Sequence, residues 1–142
     1  MPEDEAEVRA LLESRVDAAR AKDADRLMAH FAPDVVYFDV VPPMRFTGHE
    51  EVRKNFVRWF EGYEGPIALE TRELTVEVGA GLAFAHMLHL DSGTRTNGMR
   101  SSILVRSTVC CRRVSGAWLI THEHISLPID PETLRAWLPA EA

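Results

Sequence analysis

Apolar residues recur at a helical spacing at the start of the chain. Val8, Leu12 and Val16 fall on one face of a helix with 3.6 residues per turn, and acidic residues occupy its first turn, where the helix dipole favours them. Arg15 lies within or beside this apolar face. Two interpretations are open for Arg15: its stem packs on apolar surface with the charged head in water, or the cation points into a cavity.

A short helix and a strand are predicted next. Residues 24–31, ADRLMAHF, have helical spacing, and this helix is expected to end at the Ala-Pro-Asp tripeptide of residues 32–34. Residues 34–40, DVVYFDV, are typical of a β-strand, which the Pro-Pro pair at 42–43 ends. The first forty residues therefore predict two helices followed by one strand.

A third helix is predicted after residue 47. Residues 47–50, TGHE, have the T-x-x-E pattern of a capping box, in which the first and fourth side chains bond the free N–H groups of a helix start. Phe56, Trp59 and Phe60 then follow at helical spacing. This helix is aromatic on one side, which suits either core packing or the wall of a pocket.

The second half of the chain is rich in Thr, Val, Leu and aromatic residues broken by turn signals. Four long strands are predicted within residues 67–78, 82–96, 99–114 and 117–128, and a last short helix at 131–138, with Asp130 as its cap. Helices first and antiparallel strands afterwards indicate an α+β fold, in which a strongly bent sheet folds over the helices.

Composition narrows the functional classes. The 142 residues are 46% hydrophobic and 27% charged, as expected for one globular domain over residues 1–142. The net charge of −6 and dispersed basic residues argue against nucleic acid or an anionic membrane as partner. No apolar run approaches the roughly 18 residues that span a bilayer, and the start lacks the pattern of a secretory leader. We therefore expect a cytoplasmic protein.

The last hairpin has a turn that sets its register. Ser115-Gly116 suits a two-residue turn, so Val114 should face Ala117, and counting outward assigns a face to every residue of both strands. One face then holds Arg106, Thr108, Glu123 and Ile125. Arg106 is the diagonal neighbour of Glu123 in this register, and an ion pair between them would offset the cost of burying the carboxylate.

The sequence THEHIS, residues 121–126, raises the question of a metal site. His122 and His124 alternate with Glu123, so they point to the opposite face, together with Trp118. No carboxylate opposes them in the predicted register, and a metal site is not expected. The adjacent Cys110 and Cys111 point to opposite faces and are predicted to be buried thiols; no paired-cysteine spacing suggests structural zinc.

Two segments resemble a known family. Residues 31–48, FAPDVVYFDVVPPMRFTG, and residues 116–128, GAWLITHEHISLP, are similar to segments of the nuclear transport factor 2-like superfamily, and within it of the SnoaL-like group. That group includes ketosteroid isomerases and the association domain of calmodulin-dependent kinase. The resemblance implies a mixed, strongly curved sheet wrapped around the helices as a cone-shaped, cystatin-like barrel with an internal cavity. It also implies a homodimer formed through the outer sheet face, here Trp118, His122 and His124.

The resemblance assigns roles to several positions. Asp39 matches the aspartate that moves a proton between carbons in ketosteroid isomerases. Arg15 and Thr108 match the two oxyanion donors of those enzymes, and neither residue type is retained, so steroid isomerase activity is not predicted. In the kinase association domain, cavity arginines match the positions of His86, Thr108 and Ile125.

The resulting hypothesis is an enzyme that moves a proton next to a carbonyl group of a small, partly apolar molecule. It would be a cofactor-independent isomerase or lyase of the cyclase or dehydratase type, with Asp39 as general base. Arg15 and Arg106 would stabilise the oxyanion, and His86 would donate or relay a proton. The predicted apolar walls of the cavity are Tyr37, Phe56, Trp59 and Phe84.

Other interpretations stay open at this point. Asp39 could cap the turn at residues 42–43, and Glu123 could be part of the scaffold, orient Arg106 or act as a second base. A dimeric binding or association domain without turnover could instead hold a small ligand with a carboxylate through Arg15, Arg106 and His86. A third possibility is a purely structural dimer whose cavity is filled by side chains.

Overall fold

The computed structural model describes residues 2–138 of the chain. Within these residues the elements are three helices and eight strands. The helices are α1 (Pro2–Arg20), α2 (Ala24–Met28) and α3 (Gly48–Glu61). The strands are β1 (Phe31–Phe38), β2 (Arg45–Thr47), β3 (Tyr63–Val78), β4 (Leu82–Arg95), β5 (Arg100–Val114), β6 (Ala117–Ser126), β7 (Ile129–Asp130) and β8 (Arg135–Ala136).

Strands β1 to β6 form one mixed sheet. Its order is β2-β1-β6-β5-β4-β3, with β1 parallel to β6 and every other neighbour antiparallel. The sheet curves over the helices and stays open, because β2 and β3 are its two edges. The α+β prediction with helices under a strongly curved sheet is therefore confirmed.

The first helix packs on the sheet through the predicted face. Val8, Leu12 and Val16 are buried, and so is Arg15, whose side chain enters the core instead of reaching solvent. The short α2 starts at Asp23, whose side chain accepts a hydrogen bond from the backbone N–H of Arg26 at 3.1 Å. Among residues 2–138, no helix is both long and apolar enough to cross a membrane.

Two predicted boundaries were wrong. β1 begins at Phe31, because Phe31 already pairs with Ile120 of β6, and the exposed Pro33 lies in the irregular stretch of this ladder, where a missing N–H is tolerated. Residues 131–134 form a turn between β7 and β8 where a helix was predicted. Trp137 is 58% exposed and Leu138 is 50% exposed, so no buried apolar face supports a helix there.

The cap of α3 differs in detail from the predicted capping box. Thr47 is the N-cap residue in extended conformation, but its side chain makes no capping hydrogen bond. Glu51 accepts a hydrogen bond from the Thr47 backbone N–H at 3.0 Å, where the box pattern assigned that role to Glu50. The free N–H group of the N-cap residue is thus bonded by Glu51, the second acidic residue of the helix.

The register of the last hairpin is confirmed near the turn and wrong beyond it. Arg113 pairs with Trp118 and Cys111 with Ile120, as counting from Ser115-Gly116 predicted. A β-bulge then inserts Thr121, so that Cys110 pairs with His122 and every later pair is displaced by one residue. As a consequence Glu123 faces Val109, where Thr108 had been predicted.

The two cysteines are free thiols, as predicted, but the prediction that both are buried was wrong for Cys110. Cys111 is buried on the inner side of β5, whereas Cys110 is half-buried. Burial raises the pKa of the Cys111 thiol to about 12, although the nearby Arg15 cation acts in the opposite direction. Cys111 therefore stays protonated at neutral pH and belongs to the core.

The turn of the last hairpin depends on its glycine. Ser115 and Gly116 have φ values of 49° and 83°, which suits a hairpin turn with both central residues left-handed. We expect Gly116→Ala to lower the free energy of unfolding by about 1 kcal/mol in urea denaturation, because a Cβ disfavours this conformation. Gly79→Ala is the matched control: Gly79 has no left-handed φ, and a Cβ would meet only the Leu82 carbonyl oxygen, at 3.9 Å. Equal losses in the two variants would contradict the assignment.

Candidate functional site

A cavity of about 220 Å³ lies between the helices and the sheet. Its walls are mainly apolar, and polar side chains enter it from α1, from the end of β1, and from β4 and β6. The apolar walls include Val16, Leu27, Phe56, Trp59, Leu69 and Ile125. The ionisable groups along it include Arg15, Tyr37, Asp39, His89, Asp91 and Glu123. Size and lining suit a small, partly apolar molecule.

A buried ion pair joins α1 to β6 at the inner end of this cavity. Arg15 Nη1 lies 2.7 Å from Glu123 Oε2, and both side chains are almost fully buried. Ser107 donates a further hydrogen bond to Glu123 Oε2 at 2.9 Å. Glu123 therefore has a cation and a hydroxyl as partners, and the predicted pairing of Glu123 with Arg106 was wrong.

Arg106 lies on the other side of the sheet. It is exposed, and its Nε donates to Ser126 Oγ at 2.9 Å. The buried neighbours of Arg106 on β5 are Val105 and Ser107, so the pattern of burial places Arg106 outside. The bulge at Thr121 explains the error: it lets Glu123 face inward while Arg106 faces outward.

His89 is a site residue that the sequence interpretation missed. Its Nε2 lies 3.1 Å from Arg15 Nη2, and its Nδ1 lies 3.2 Å from Thr71 Oγ1. Burial, followed by the repulsion of the Arg15 cation, lowers the pKa of His89 to about 3. The neutral ring therefore accepts from Arg15 and donates to Thr71. Strand alternation with the apolar Ala85 and Met87 was the signal that could have placed His89 inside.

Asp39 follows the last residue of β1 at the cavity. Its side chain is 15% exposed. Asn55 on α3 donates to Asp39 Oδ2 at 2.8 Å, and the Val40 backbone N–H donates to Oδ1 at 2.7 Å. Arg58 Nη2 lies 4.0 Å from Oδ2 and also donates to the Asn55 side-chain oxygen. The carboxylate is thus oriented by two N–H donors, the Asn55 side chain and the Val40 backbone.

Asp91 is the second site residue that was missed, and it lacks such donors. It lies on β4 directly across from Leu69 on β3 and Ile103 on β5, so its neighbours in the ladder are apolar. Its Oδ1 is buried and has no hydrogen-bond partner among residues 2–138. Burial, and then the carboxylates of Asp39 and Glu123, raise the pKa of Asp91 to about 7. Asp91 can therefore exchange a proton near neutral pH.

Tyr37 precedes Asp39 by two residues and lines the same cavity. Its ring packs edge-on against Phe56, with ring centroids 5.2 Å apart. Burial, followed by the charge of Glu123, raises the pKa of the Tyr37 phenol well above 10. The phenol therefore remains protonated and able to donate a hydrogen bond.

The structure separates the predicted site residues into two groups. Those that line the cavity are Arg15, Tyr37, Asp39, Phe56, Trp59, Glu123 and Ile125. Those on the opposite, exposed side of the sheet are Phe84, His86, Arg106 and Thr108, so their predicted cavity positions were wrong. On β4 the buried residues are Ala85 and Met87, which places Phe84 and His86 outside by strand alternation.

Of the three residues predicted on the outer face of the sheet, His122 and His124 lie there and Trp118 does not. His86, Thr108 and His124 form a row across β4, β5 and β6. Trp118 is buried in the core, under the Arg113 guanidinium, so its predicted place on the outer face was wrong. Within residues 2–138, no group of three His, Cys, Asp or Glu side chains is arranged to hold a metal ion.

Comparisons with known proteins agree with this architecture. The model of the SnoaL-like domain family matches residues 8–130. A nuclear transport factor 2-like protein of unknown function from Pseudomonas putida KT2440 has 30% identity and a TM-score of 0.91, covering 100% of this chain and 99% of that one. The chain therefore has the nuclear transport factor 2-like fold, and it belongs to the SnoaL-like family.

More distant structures share the fold. A ketosteroid isomerase-like protein from Erwinia carotovora atroseptica SCRI1043 has 20% identity and a TM-score of 0.77, covering 89% of this chain and 97% of that one. An uncharacterized protein with a cystatin-like fold from Caulobacter vibrioides has 18% identity and a TM-score of 0.73, with coverages of 90% and 91%. The comparison with curated proteins found no match.

The ion pair between Arg15 and Glu123 can be tested by removing the cation. We expect Arg15→Met to lower the free energy of unfolding by about 3–5 kcal/mol at pH 7, because it leaves a buried carboxylate without its partner. Urea denaturation measures the loss. The double variant Arg15→Met with Glu123→Met should recover much of it.

The matched control for this test is Arg9→Met on the exposed side of α1. Arg9 pairs with Glu5 at 3.4 Å, and both side chains are 45% exposed, so its removal should cost less than about 1 kcal/mol. A loss at Arg15 no larger than that at Arg9 would contradict the buried pair.

The raised pKa of Asp91 predicts a pH-dependent stability. The pKa of Asp91 is 3.8 in the unfolded chain and about 7 in the folded one. The folded protein therefore binds the proton more tightly, and its free energy of unfolding falls as pH rises between those values. The slope is at most about 1.4 kcal/mol per pH unit. We expect Asp91→Asn to remove this slope, so that its melting temperature relative to the unsubstituted protein rises between pH 4.5 and pH 8. A difference that stays constant over this range would refute the prediction.

Proposed function

We propose that the protein binds a small, partly apolar molecule in this cavity and moves a proton at a carbon next to the carbonyl group of that molecule. The observation that carries the proposal is the placement of the Asp39 carboxylate and the Tyr37 phenol, two residues apart, at one apolar cavity. A base and a hydrogen-bond donor on one wall are the two groups that enolate formation needs. The activity would be that of a cofactor-independent isomerase or lyase.

The proposed chemistry starts at Asp39. Its carboxylate takes a proton from the carbon beside the carbonyl, and the C–H electron pair becomes that of an enolate. Tyr37 donates a hydrogen bond to the oxygen as negative charge develops on it. Return of the proton to another carbon gives an isomer, whereas expulsion of a leaving group from the next carbon gives a lyase reaction. Asn55 keeps Asp39 in one orientation through its 2.8 Å hydrogen bond.

Tyr37 replaces the cations that the sequence suggested for the oxyanion. Arg106 lies outside, and the Nη1 and Nη2 groups of Arg15 are already engaged by Glu123 and His89. A protonated phenol beside the base supplies the donor in their place. His86 is exposed on the outer face and has no part in the proposed reaction.

The alternative, a non-catalytic domain that binds a small acidic ligand, has weaker support. It needs a free cation inside the cavity, and Arg15 is neutralised by Glu123. Arg58 does not supply this cation either, because it is half exposed and bonds Asn55 beside Asp39.

We further propose that residues 1–142 form one cytoplasmic domain and that two copies associate through the outer face with His122 and His124.

Exchange of hydrogen for deuterium tests the proposed proton transfer. We expect the protein to accelerate exchange at the carbon beside the carbonyl of a small cyclic enone, such as 2-cyclohexen-1-one, in deuterated buffer followed by NMR. Asp39→Asn should lower the rate by about 10²–10⁴-fold, because it removes the base. Tyr37→Phe should lower it by about 10²-fold.

The control for this experiment is Asp34→Asn, on the exposed side of β1. Asp34 pairs with Arg112 at 3.6 Å, and its side chain is 71% exposed. Its exchange rate should match that of the unsubstituted protein. Full activity in Asp39→Asn would sink the assignment of the base, and binding of a cyclic enone without any exchange would favour the non-catalytic alternative.

A further inference from the structure

Asp91 has a carboxyl group for which no residue between 2 and 138 supplies a hydrogen bond or an ion pair. Its Oδ1 is sealed in the cavity wall without a hydrogen-bond partner among the residues described, and the residue itself remains partly exposed along the cavity. Leu69 and Ile103 flank it in the sheet. A carboxylate in apolar surroundings is costly unless a cation or hydrogen-bond donor accompanies it. A ligand in the cavity can supply that partner, because Asp91 is partly exposed there.

The other charged and titratable groups around the cavity do not supply this partner. They are Arg15 from α1, Tyr37 and Asp39 from β1 and its end, Arg58 from α3, Tyr63 from β3, His89 and Arg95 from β4, and Glu123 from β6.

The cations among these groups are engaged elsewhere. Arg15 is bound by Glu123 and by the neutral His89. Arg58 bonds the Asn55 side chain, and the Arg95 guanidinium lies over the Tyr63 ring, 4.5 Å from its centroid. The two charges that shift the pKa of Asp91 further upward, Asp39 and Glu123, are both negative. The potential at Asp91 therefore favours a positive group.

We propose that Asp91 forms a subsite for a positively charged amino group, so that the ligands of this cavity are small amines with an apolar body. The ammonium group would pair with the Asp91 carboxylate, and the apolar body would contact Leu69, Ile103 and Val105. This inference deepens the proposed function, on which it rests for the use of the cavity by a ligand, and it gives the substrate class as amine-bearing carbonyl compounds.

The same arrangement disfavours acidic ligands. A carboxylate placed here would meet the unpaired Asp91 carboxyl group, with Asp39 at the same cavity, and like charges repel in a desolvated site. An ammonium ligand instead restores a partner to a desolvated carboxylate, and charge-assisted hydrogen bonds of this kind are the strong ones. Binding should also follow the ionised fraction of Asp91, and so rise with pH through neutrality.

The test uses three probes with one ring and different charge: benzylamine, benzyl alcohol and benzoate. Isothermal titration calorimetry would measure their dissociation constants for the unsubstituted protein at pH 6 and pH 8. We expect benzylamine to bind most tightly and benzoate most weakly. The affinity for benzylamine should increase by about tenfold from pH 6 to pH 8, since the amine stays protonated while Asp91 ionises.

Two variants separate the subsite from general binding in the cavity. Asp91→Asn should weaken benzylamine about tenfold or more at pH 8 and leave benzyl alcohol nearly unchanged. Asp34→Asn, which removes an exposed aspartate outside the cavity, should bind both as the unsubstituted protein does.

Failure of the subsite and failure of the proposed reaction give different results. Tighter binding of benzoate than of benzylamine, equal benzylamine binding in Asp91→Asn, or no benzylamine binding at all overturns the subsite, whatever Asp39 does. Charge-selective binding that depends on Asp91, in a protein that exchanges no proton on amine-bearing or neutral ketones, supports the subsite and overturns the proposed reaction.

Discussion

The buried contact between Arg15 and Glu123 is the constraint on which the arrangement of the site depends. It joins the first helix to the strand at the middle of the sheet, and Ser107 and His89 bring two further strands to the same point. Such a pair adds little stability compared with apolar packing, but it tolerates no half-formed alternative, because either charge alone would be costly in the core. The rotation of α1 and the face of β6 are thereby specified together.

This ion pair also decides what the cavity can do. Arg15 pairs with Glu123, so its charge is not available to the other carboxyl groups at the cavity. Asp39 has two N–H donors instead, and Asp91 has a buried oxygen with no partner among residues 2–138. Glu123 is structural, Asp39 is the base of the proposed proton transfer, and Asp91 is the proposed amine subsite. Three carboxyl groups at one cavity thus have three chemistries, set by their neighbours.

The last hairpin shows where local information ends. The Ser115-Gly116 turn correctly gives the first pairs, because turn geometry acts over neighbouring residues. The extra residue Thr121 lies beyond that range, and a single inserted residue reverses the face of everything that follows in the pairing. Glu123 was predicted on the cavity side and lies there, but the partner expected for it, Arg106, lies on the other side of the sheet.

Local pattern in the sequence determined the three helices, the long strands and the α+β class, and the resemblance of two segments determined the superfamily. The resemblance placed Asp39 at the cavity, strand alternation put Tyr37 on the same face, and the aromatic side of the third helix offered Phe56 and Trp59 for the wall. Only the tertiary structure decided that Arg15 pairs with Glu123, and which face of β4 turns inward with His89 and Asp91 while His86 lies outside. The physical reason is that partners and desolvation depend on strand pairing between distant segments, and a single bulge alters that pairing without any mark in composition or periodicity.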